Sequence, residues 1–280
     1  MKILTTNSVT VLDTRHRGQV VVAGSHGGRI AGVLAAQAGV HAVILNDAGV
    51  GKDNAGIASL PLLEGIGMAA ATVARASVAM GQGEQSLARG VISYVNRQAE
   101  AAGVRPGDPC RLAAEKLCGA APAHEVLPHC SERRLRLGSP DQRPAVIGCD
   151  SVCLVRPEDA GAVLVVGSHA AMHAPEPWTA LGAAARAALF HDAGCQGEPE
   201  GISRLPVLDR YAIAAAAVDY RSARIGDAAS LWESGRLSFL NRTACLAGWR
   251  RGMTVQAAVA LIQSVAGHDR TRPATVGRWS

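Results

Sequence analysis

The stretch Val-Val-Ala-Gly-Ser-His at residues 21–26 recurs as Leu-Val-Val-Gly-Ser-His at residues 164–169. Each stretch is led by an apolar run that reaches a glycine, which is typical of a strand buried on both faces of a parallel sheet. Because the same strand occurs twice in a chain of 280 residues, the sequence predicts an internal duplication.

The similarity between the two copies continues well beyond this strand. From Asp47 to Gly107 a single offset of 145 aligns the copies without a gap, and 23 of the 61 aligned residues are identical. Upstream the offset is 143, so a two-residue insertion or deletion separates the two aligned regions. We predict four segments: a first repeat at 1–118, a linker at 119–147, a second repeat at 148–266 and a polar tail at 267–280.

Apolar runs of strand length alternate with stretches of helical spacing in each repeat, which predicts an α/β fold. We expect an internal duplication of a β-α-β-α-β-α unit, with parallel sheets, right-handed crossovers and pseudo-two-fold symmetry. The predicted strands are 19–24, 41–45, 69–74, 162–167, 186–191 and 213–219. The predicted helices are 28–38, 55–65, 84–102, 178–188, 200–210 and 229–246.

Composition narrows the classes of function. The net charge is +5, but the basic residues are nearly all scattered arginines without interleaved aromatics, so we predict no nucleic-acid partner. No apolar run reaches the length of a membrane span, so no membrane partner is expected. The seven cysteines show no paired framework, which fits a cytoplasmic location. No recognised ligand motif supports a metal, so the cofactor stays unknown; a divalent metal and a homo-oligomer are left open.

Polar residues follow the predicted strands in both repeats, at the edge of a parallel sheet where ligands bind. Ser25, His26, Gly27 and Gly28 follow the first strand. Glycine lets the chain turn tightly, and N–H groups at a helix start can hold an anion. We therefore predict that His26 is a general acid or base and that its three neighbours bind substrate. The structural alternative is that Ser25 caps the helix and His26 satisfies a buried backbone group.

The loop after the second strand carries Asn46, Asp47, Lys52 and Asp53. Asp47 suits a base, a group that orients His26, or a metal ligand. Lys52 suits the binding of an anion or the polarisation of a carbonyl. Asp53 suits catalysis or, equally, the N-cap of the next helix. We predict catalytic roles for these three residues and a substrate-binding role for Asn46.

The second repeat has no lysine in this loop but carries Arg221, Ser222, Arg224 and Asp227 after its third strand. Two arginines suit a carboxylate or a phosphate, so we predict that these four residues bind substrate. Because each repeat lacks what the other carries, we hypothesise one composite site that descended from a homodimer of the ancestral unit. The structural alternative is that Arg224 and Asp227 only form an ion pair that steadies the loop.

Together these residues favour a cytoplasmic enzyme that acts on a small anionic metabolite. Hydrolysis of an amide or related carbonyl bond, by acid–base chemistry of His26 and Asp47, is the predicted reaction. One alternative is a lyase or isomerase of a small carboxylic acid that uses the same residues. Another is a non-catalytic protein that binds a small acid or a nucleotide. The Gly-x-Ser-x-Gly elbow, the phosphate P-loop and the dinucleotide fingerprint are all absent from the sequence.

Overall fold

The computed structural model describes residues 1–125, 127, 130–172 and 180–268. The chain forms two compact units, of which the first contains Met1–Ser131 and Ala193–Gly201 and the second contains Glu132–Asp192 and Ile202–Ser280. Each unit holds one mixed, mostly parallel sheet that alternates with helices. The predicted α/β fold with two similar halves is therefore confirmed.

The first unit is built on a five-stranded sheet whose order follows the sequence. Four strands are parallel, and the fifth is antiparallel at the edge. The strands are β1 (Ile3–Thr6), β2 (Val20–His26), β3 (Ala42–Asn46), β4 (Ala69–Val73) and β5 (Ile92–Val95). The helices are α1 (Arg29–Gln37), α2 (Ser59–Gly65), α3 (Gly83–Arg89), α4 (Arg97–Ala101) and α5 (Cys110–Leu117).

Alternate residues of these strands face two different cores. Val21, Val43 and Ala70 pack in one cluster with α1 and α2. Val22 and Ile44 pack on the other face with α5. Since both faces are covered, β2 to β4 are buried along their length apart from His26 at the end of β2.

The second unit repeats this arrangement and adds one antiparallel strand. Its sheet order is β11-β10-β9-β8-β7-β6, with parallel pairing from β7 to β10. The strands are β6 (Arg134–Leu137), β7 (Val146–Cys149), β8 (Val163–His169), β9 (Ala187–His191), β10 (Ala214–Val218) and β11 (Leu237–Leu240). The helices are α6 (Arg204–Asp209), α7 (Ala228–Ser234), α8 (Arg242–Leu246) and α9 (Val255–His268).

The long helices predicted at 84–102 and 229–246 are wrong. In the first repeat the chain forms α3, then β5 paired with β4, then α4. Gly90 ends α3, and the Asn96 side chain caps α4 while it also bonds the backbone of Ala70 and Met68. The β-branched residues between them favour a strand, and pairing with β4 decides the outcome. The second repeat is interrupted in the same way by β11.

One further predicted helix also differs from the structure. The helix predicted at 178–188 is wrong for the part that is described, because 180–186 is non-helical and β9 begins at Ala187; residues 178 and 179 lie outside the described residues. The range predicted as a linker, 119–147, contains β6 and the start of β7. Within the predicted tail, only 267–268 is described, as the end of α9.

Candidate functional site

The turn after β2 holds the His26 ring in a defined tautomer. The Nδ1 atom of His26 accepts the Gly28 N–H at 3.1 Å, so in the neutral ring the proton resides on Nε2. A Cβ at Gly28 would stand 2.5 Å from this Nδ1 atom, so only glycine permits the arrangement. The ring is half-buried at the end of β2, where a proton donor would meet a ligand.

The equivalent histidine of the second repeat is held differently. Ala171 occupies the position that corresponds to Gly28, and its Cβ is incompatible with the ring position that His26 adopts. His169 is accordingly buried, with 5% of its surface exposed. Of the two strand-end histidines, His26 is therefore the better placed for chemistry.

Ser25 and Gly27 hold the backbone around this turn. The Ser25 Oγ accepts the Val9 N–H at 3.0 Å, and Ser168 accepts the Val152 N–H at 2.9 Å in the second repeat. Ser25 therefore anchors an N-terminal turn and does not cap α1, whose N-cap is Gly28. A Cβ at Gly27 would stand 2.5 Å from the Gly56 carbonyl oxygen, so Gly27 is required for two loops to approach each other.

Asn46 and Asp47 tie the loop after β3 to the loop after β4. The Asn46 Nδ2 donates to the Val78 carbonyl at 3.0 Å. The Asp47 Oδ1 accepts the N–H groups of Gly49 and Arg75, each at 2.9 Å. Asp192 accepts the Tyr220 N–H at 3.0 Å in the second repeat. The aspartate thus fixes two strand-end loops in both repeats, whether or not a reaction takes place beside it.

His191 replaces Asn46 in the second repeat and makes the equivalent contact, with Nε2 3.0 Å from the Ala223 carbonyl oxygen. Burial lowers the pKa of His191 to about 4. The unfolded chain binds a proton at this histidine below about pH 6.5, whereas the folded chain binds it only near pH 4. The free energy of unfolding is therefore highest above pH 6.5 and falls as the pH drops toward 4.

We predict that His191→Asn removes this acid sensitivity, because asparagine already makes the contact in the first repeat. Between pH 7 and pH 5 the wild type is expected to lose about 2 kcal/mol more unfolding free energy than the variant. Urea denaturation at the two pH values measures the difference. An identical pH dependence in both proteins would show that His191 is not the acid-sensitive group.

The loop that carries Lys52 has an unusual backbone. Ala48 and Gly49 have φ values of 49° and 73°, and their counterparts Ala193 and Gly194 have 52° and 71°, so this part belongs to the shared fold. Val50, Asp53 and Asn54 have φ values of 67°, 54° and 56°, and the residues aligned with them show no such values. Left-handed backbone costs about 1–3 kcal/mol for each such residue and clusters at functional sites.

Lys52 and Asp53 lie in this left-handed segment, with Lys52 half-buried and Asp53 exposed. Asp53 does not cap the next helix, since the residue before α2 is Ala58 and a 3₁₀ turn, Lys52–Ile57, comes first. That alternative for Asp53 is therefore wrong. The catalytic role predicted for Asp53 stays a prediction.

A segment of the second repeat, Ala193–Gly201, belongs to the first unit. Within this unit Glu198 pairs with Arg75, whose Nη2 lies 3.2 Å from Oε2 of the carboxylate. Burial acts to raise the pKa of Glu198, but the Cys195 thiol, backbone N–H groups and Arg75 together lower it to about 2. No role for Arg75 or Glu198 was predicted from the sequence. The alignment of the two copies could have indicated Glu198, because it aligns with Asp53 and both copies keep an acidic residue at this position.

The four predicted residues of the second repeat lie after β10, in the second unit. Arg224 donates from Nε and Nη2 to Asp227, at 3.1 and 2.9 Å, so the structural ion pair is present. Asp227 also caps α7 and pairs with Arg133 at 2.9 Å. The Ser222 Oγ bonds the backbone of Asp219 and Arg236. Arg221 is exposed and lies 4.8 Å from the Tyr220 ring centre.

The eight predicted residues of the first repeat thus share one strand-end edge, while the four of the second repeat lie in the other unit. In the described parts of the chain, no group of three or more His, Cys, Asp or Glu side chains is placed to hold a metal. No described helix has the length and apolarity to cross a membrane. The fold and the site define a duplicated α/β protein with a candidate site in one repeat. No family model, curated protein or solved structure matches the chain.

Proposed function

We propose that the chain is an enzyme that acts on a small anionic metabolite at the strand-end edge of the first unit. The observation that carries the proposal is the left-handed backbone at Val50, Asp53 and Asn54, which surrounds Lys52 and is not repeated in the second copy. The shared fold does not require this conformation, since only one of the two repeats has it. Strained backbone of this kind is usually kept where it positions a functional loop.

The proposed reaction is hydrolysis of an amide or related carbonyl bond. Water would add to the carbonyl carbon and the C–N bond would break. His26 would pass its Nε2 proton to the leaving nitrogen and would recover a proton from the attacking water. Lys52 would hold the anionic part of the substrate as a compact positive charge. Asp47 would act as a positioning residue, because its carboxylate fixes the loop that carries Lys52.

A thermal-shift screen tests this proposal with small carboxylates, cyclic amides and phosphorylated metabolites. A ligand at about 100 times its Kd adds about 2.7 kcal/mol of stability, which raises Tm by several degrees. We predict that a stabilising ligand raises the Tm of the wild type and fails to raise that of Lys52→Met.

Lys2→Met is the matched control, since Lys2 is exposed at the chain start and lies outside the site. It should respond to the ligand as the wild type does. Equal stabilisation of the wild type and Lys52→Met would remove Lys52 from the site, and the absence of any stabilising compound would count against an anionic metabolite.

A further inference from the structure

Arg75 places a buried positive charge at the same edge as the Lys52 loop. It follows β4 by two residues, and its backbone N–H bonds the Asp47 carboxylate at 2.9 Å. Only 7% of its side chain is exposed. A guanidinium is kept away from water only where acceptors satisfy its N–H groups.

Only one of the two neighbouring donors of the Arg75 guanidinium, Nε and Nη2, has a hydrogen-bond acceptor among the described residues. Its Nη2 donates to Glu198, but its Nε is buried and makes no hydrogen bond to any part of the chain that the structure describes. Arg224 and Arg133 each use both Nε and Nη2 on one carboxylate. The spacing of Nε and Nη2 matches the two oxygens of a carboxylate. The Nε of Arg75 can therefore donate to a carboxylate that lies across both atoms, which Glu198 does not do.

Glu198 has hydrogen-bond donors besides Arg75. Its Oε2 accepts the Gln196 N–H at 2.8 Å and the Cys195 thiol at 3.0 Å, and both donors belong to its own turn. Its side chain is 42% exposed. These two bonds lie within the turn and do not involve Arg75.

We propose that Arg75 binds the carboxylate of a small ligand through Nε and Nη2, and that Glu198 occupies this position until the ligand displaces it. This inference rests on the proposed function and specifies its substrate class as a small carboxylate. It also gives the second repeat a role in the first unit: its segment Ala193–Gly201 supplies the occupant that the ligand replaces.

Cys195 reports on the displacement without any need for turnover. It is 6% exposed beside Glu198, so thiol reagents reach it only when the turn moves away. The experiment measures the alkylation rate of each cysteine by peptide mass spectrometry, in malonate and in sodium chloride of equal ionic strength. We expect malonate to accelerate the labelling of Cys195 in a saturable manner, with no effect on the rate at the exposed Cys153 and Cys245.

Arg75→Gln separates release of the turn from a change in thiol chemistry. Burial and the Glu198 carboxylate raise the pKa of the Cys195 thiol, and the charge of Arg75 opposes this rise, so the loss of that charge alone would slow the labelling. Release of the turn instead predicts labelling about 5 to 30 times faster, the effect of losing 1–2 kcal/mol, and no further response to malonate. Glu198→Gln is the second variant, and because the loss of this carboxylate also lowers the Cys195 pKa, its expected result is a labelling rate that no longer responds to malonate. The buried Cys110 must stay protected in both variants, which shows that the first unit remains folded.

A wild-type Cys195 rate that does not respond to malonate would overturn the proposal, and Arg75 would then be a structural anchor for the turn. Slower labelling in Arg75→Gln would overturn it as well. The outcome is independent of Lys52: a malonate response that persists in Lys52→Met supports the Arg75 site, even if the proposed function fails in the ligand screen.

Discussion

Replacing His26 with glutamine is expected to lower kcat by about 100-fold or more on a substrate found by the ligand screen, with little change in Kd. Glutamine keeps a hydrogen-bonding side chain at the end of β2 but cannot release a proton near neutral pH. The structure supports this expectation because Gly28 fixes the ring with its proton on Nε2. Steady-state kinetics and a separate binding measurement check it.

His169→Gln is the matched control for this experiment, since it changes the aligned histidine of the second repeat. His169 is buried, so the substitution is expected to cost stability and to leave kcat within a few-fold of the wild-type value. If both variants lost turnover equally, the two repeats would be equally active. If His26→Gln kept its turnover, the ligand would be bound without acid–base catalysis by this residue.

Replacing Gly56 with alanine is expected to reduce the unfolding free energy by about 3 kcal/mol, at the upper end of the effect of overpacking. A Cβ there would overlap the Asp47 carbonyl oxygen and stand 3.0 Å from the Val50 carbonyl oxygen. Neither oxygen can move freely, because Val50 and Gly56 both bond within this loop. Urea denaturation measures the loss.

Gly65→Ala is the control for this substitution. Gly65 ends α2, and a Cβ there would meet no atom within 4 Å. Alanine is expected to leave the stability unchanged or to raise it by about 0.5–1 kcal/mol, because glycine is the poorer helix former. A Gly56→Ala protein as stable as the wild type would mean that the strand-end loops are looser than their contacts indicate.

The central strands were predictable because their residues are apolar without interruption, and burial on both faces produces that pattern. The helix at 84–102 was mispredicted because Leu87, Val91, Val95 and Ala99 also satisfy helical spacing. Local spacing cannot show that 92–95 has a free strand edge to pair with, since that depends on where β4 lies in the fold.

The candidate site was predictable only in part. The position of His26 and Lys52 at the strand ends follows from the alternation of strands and helices. The partner of Arg75 does not, because Glu198 is 123 residues away in the sequence and belongs to the other repeat. The ring position of His26 also depends on a hydrogen bond to Gly28 that a sequence pattern cannot show.

The proposed anion site lies beside Lys52 in the first unit, and the chain has only three lysines, Lys2, Lys52 and Lys116. Selective ¹⁵N labelling of lysine therefore gives three backbone amide signals, which can be followed while the ligand from the screen is added. Lys2 is exposed near the chain start, and Lys116 pairs with Asp108 at 2.7 Å. We predict a saturable shift of the Lys52 signal alone. A ligand that binds and leaves Lys52 unmoved, or that shifts Lys116 instead, would contradict it.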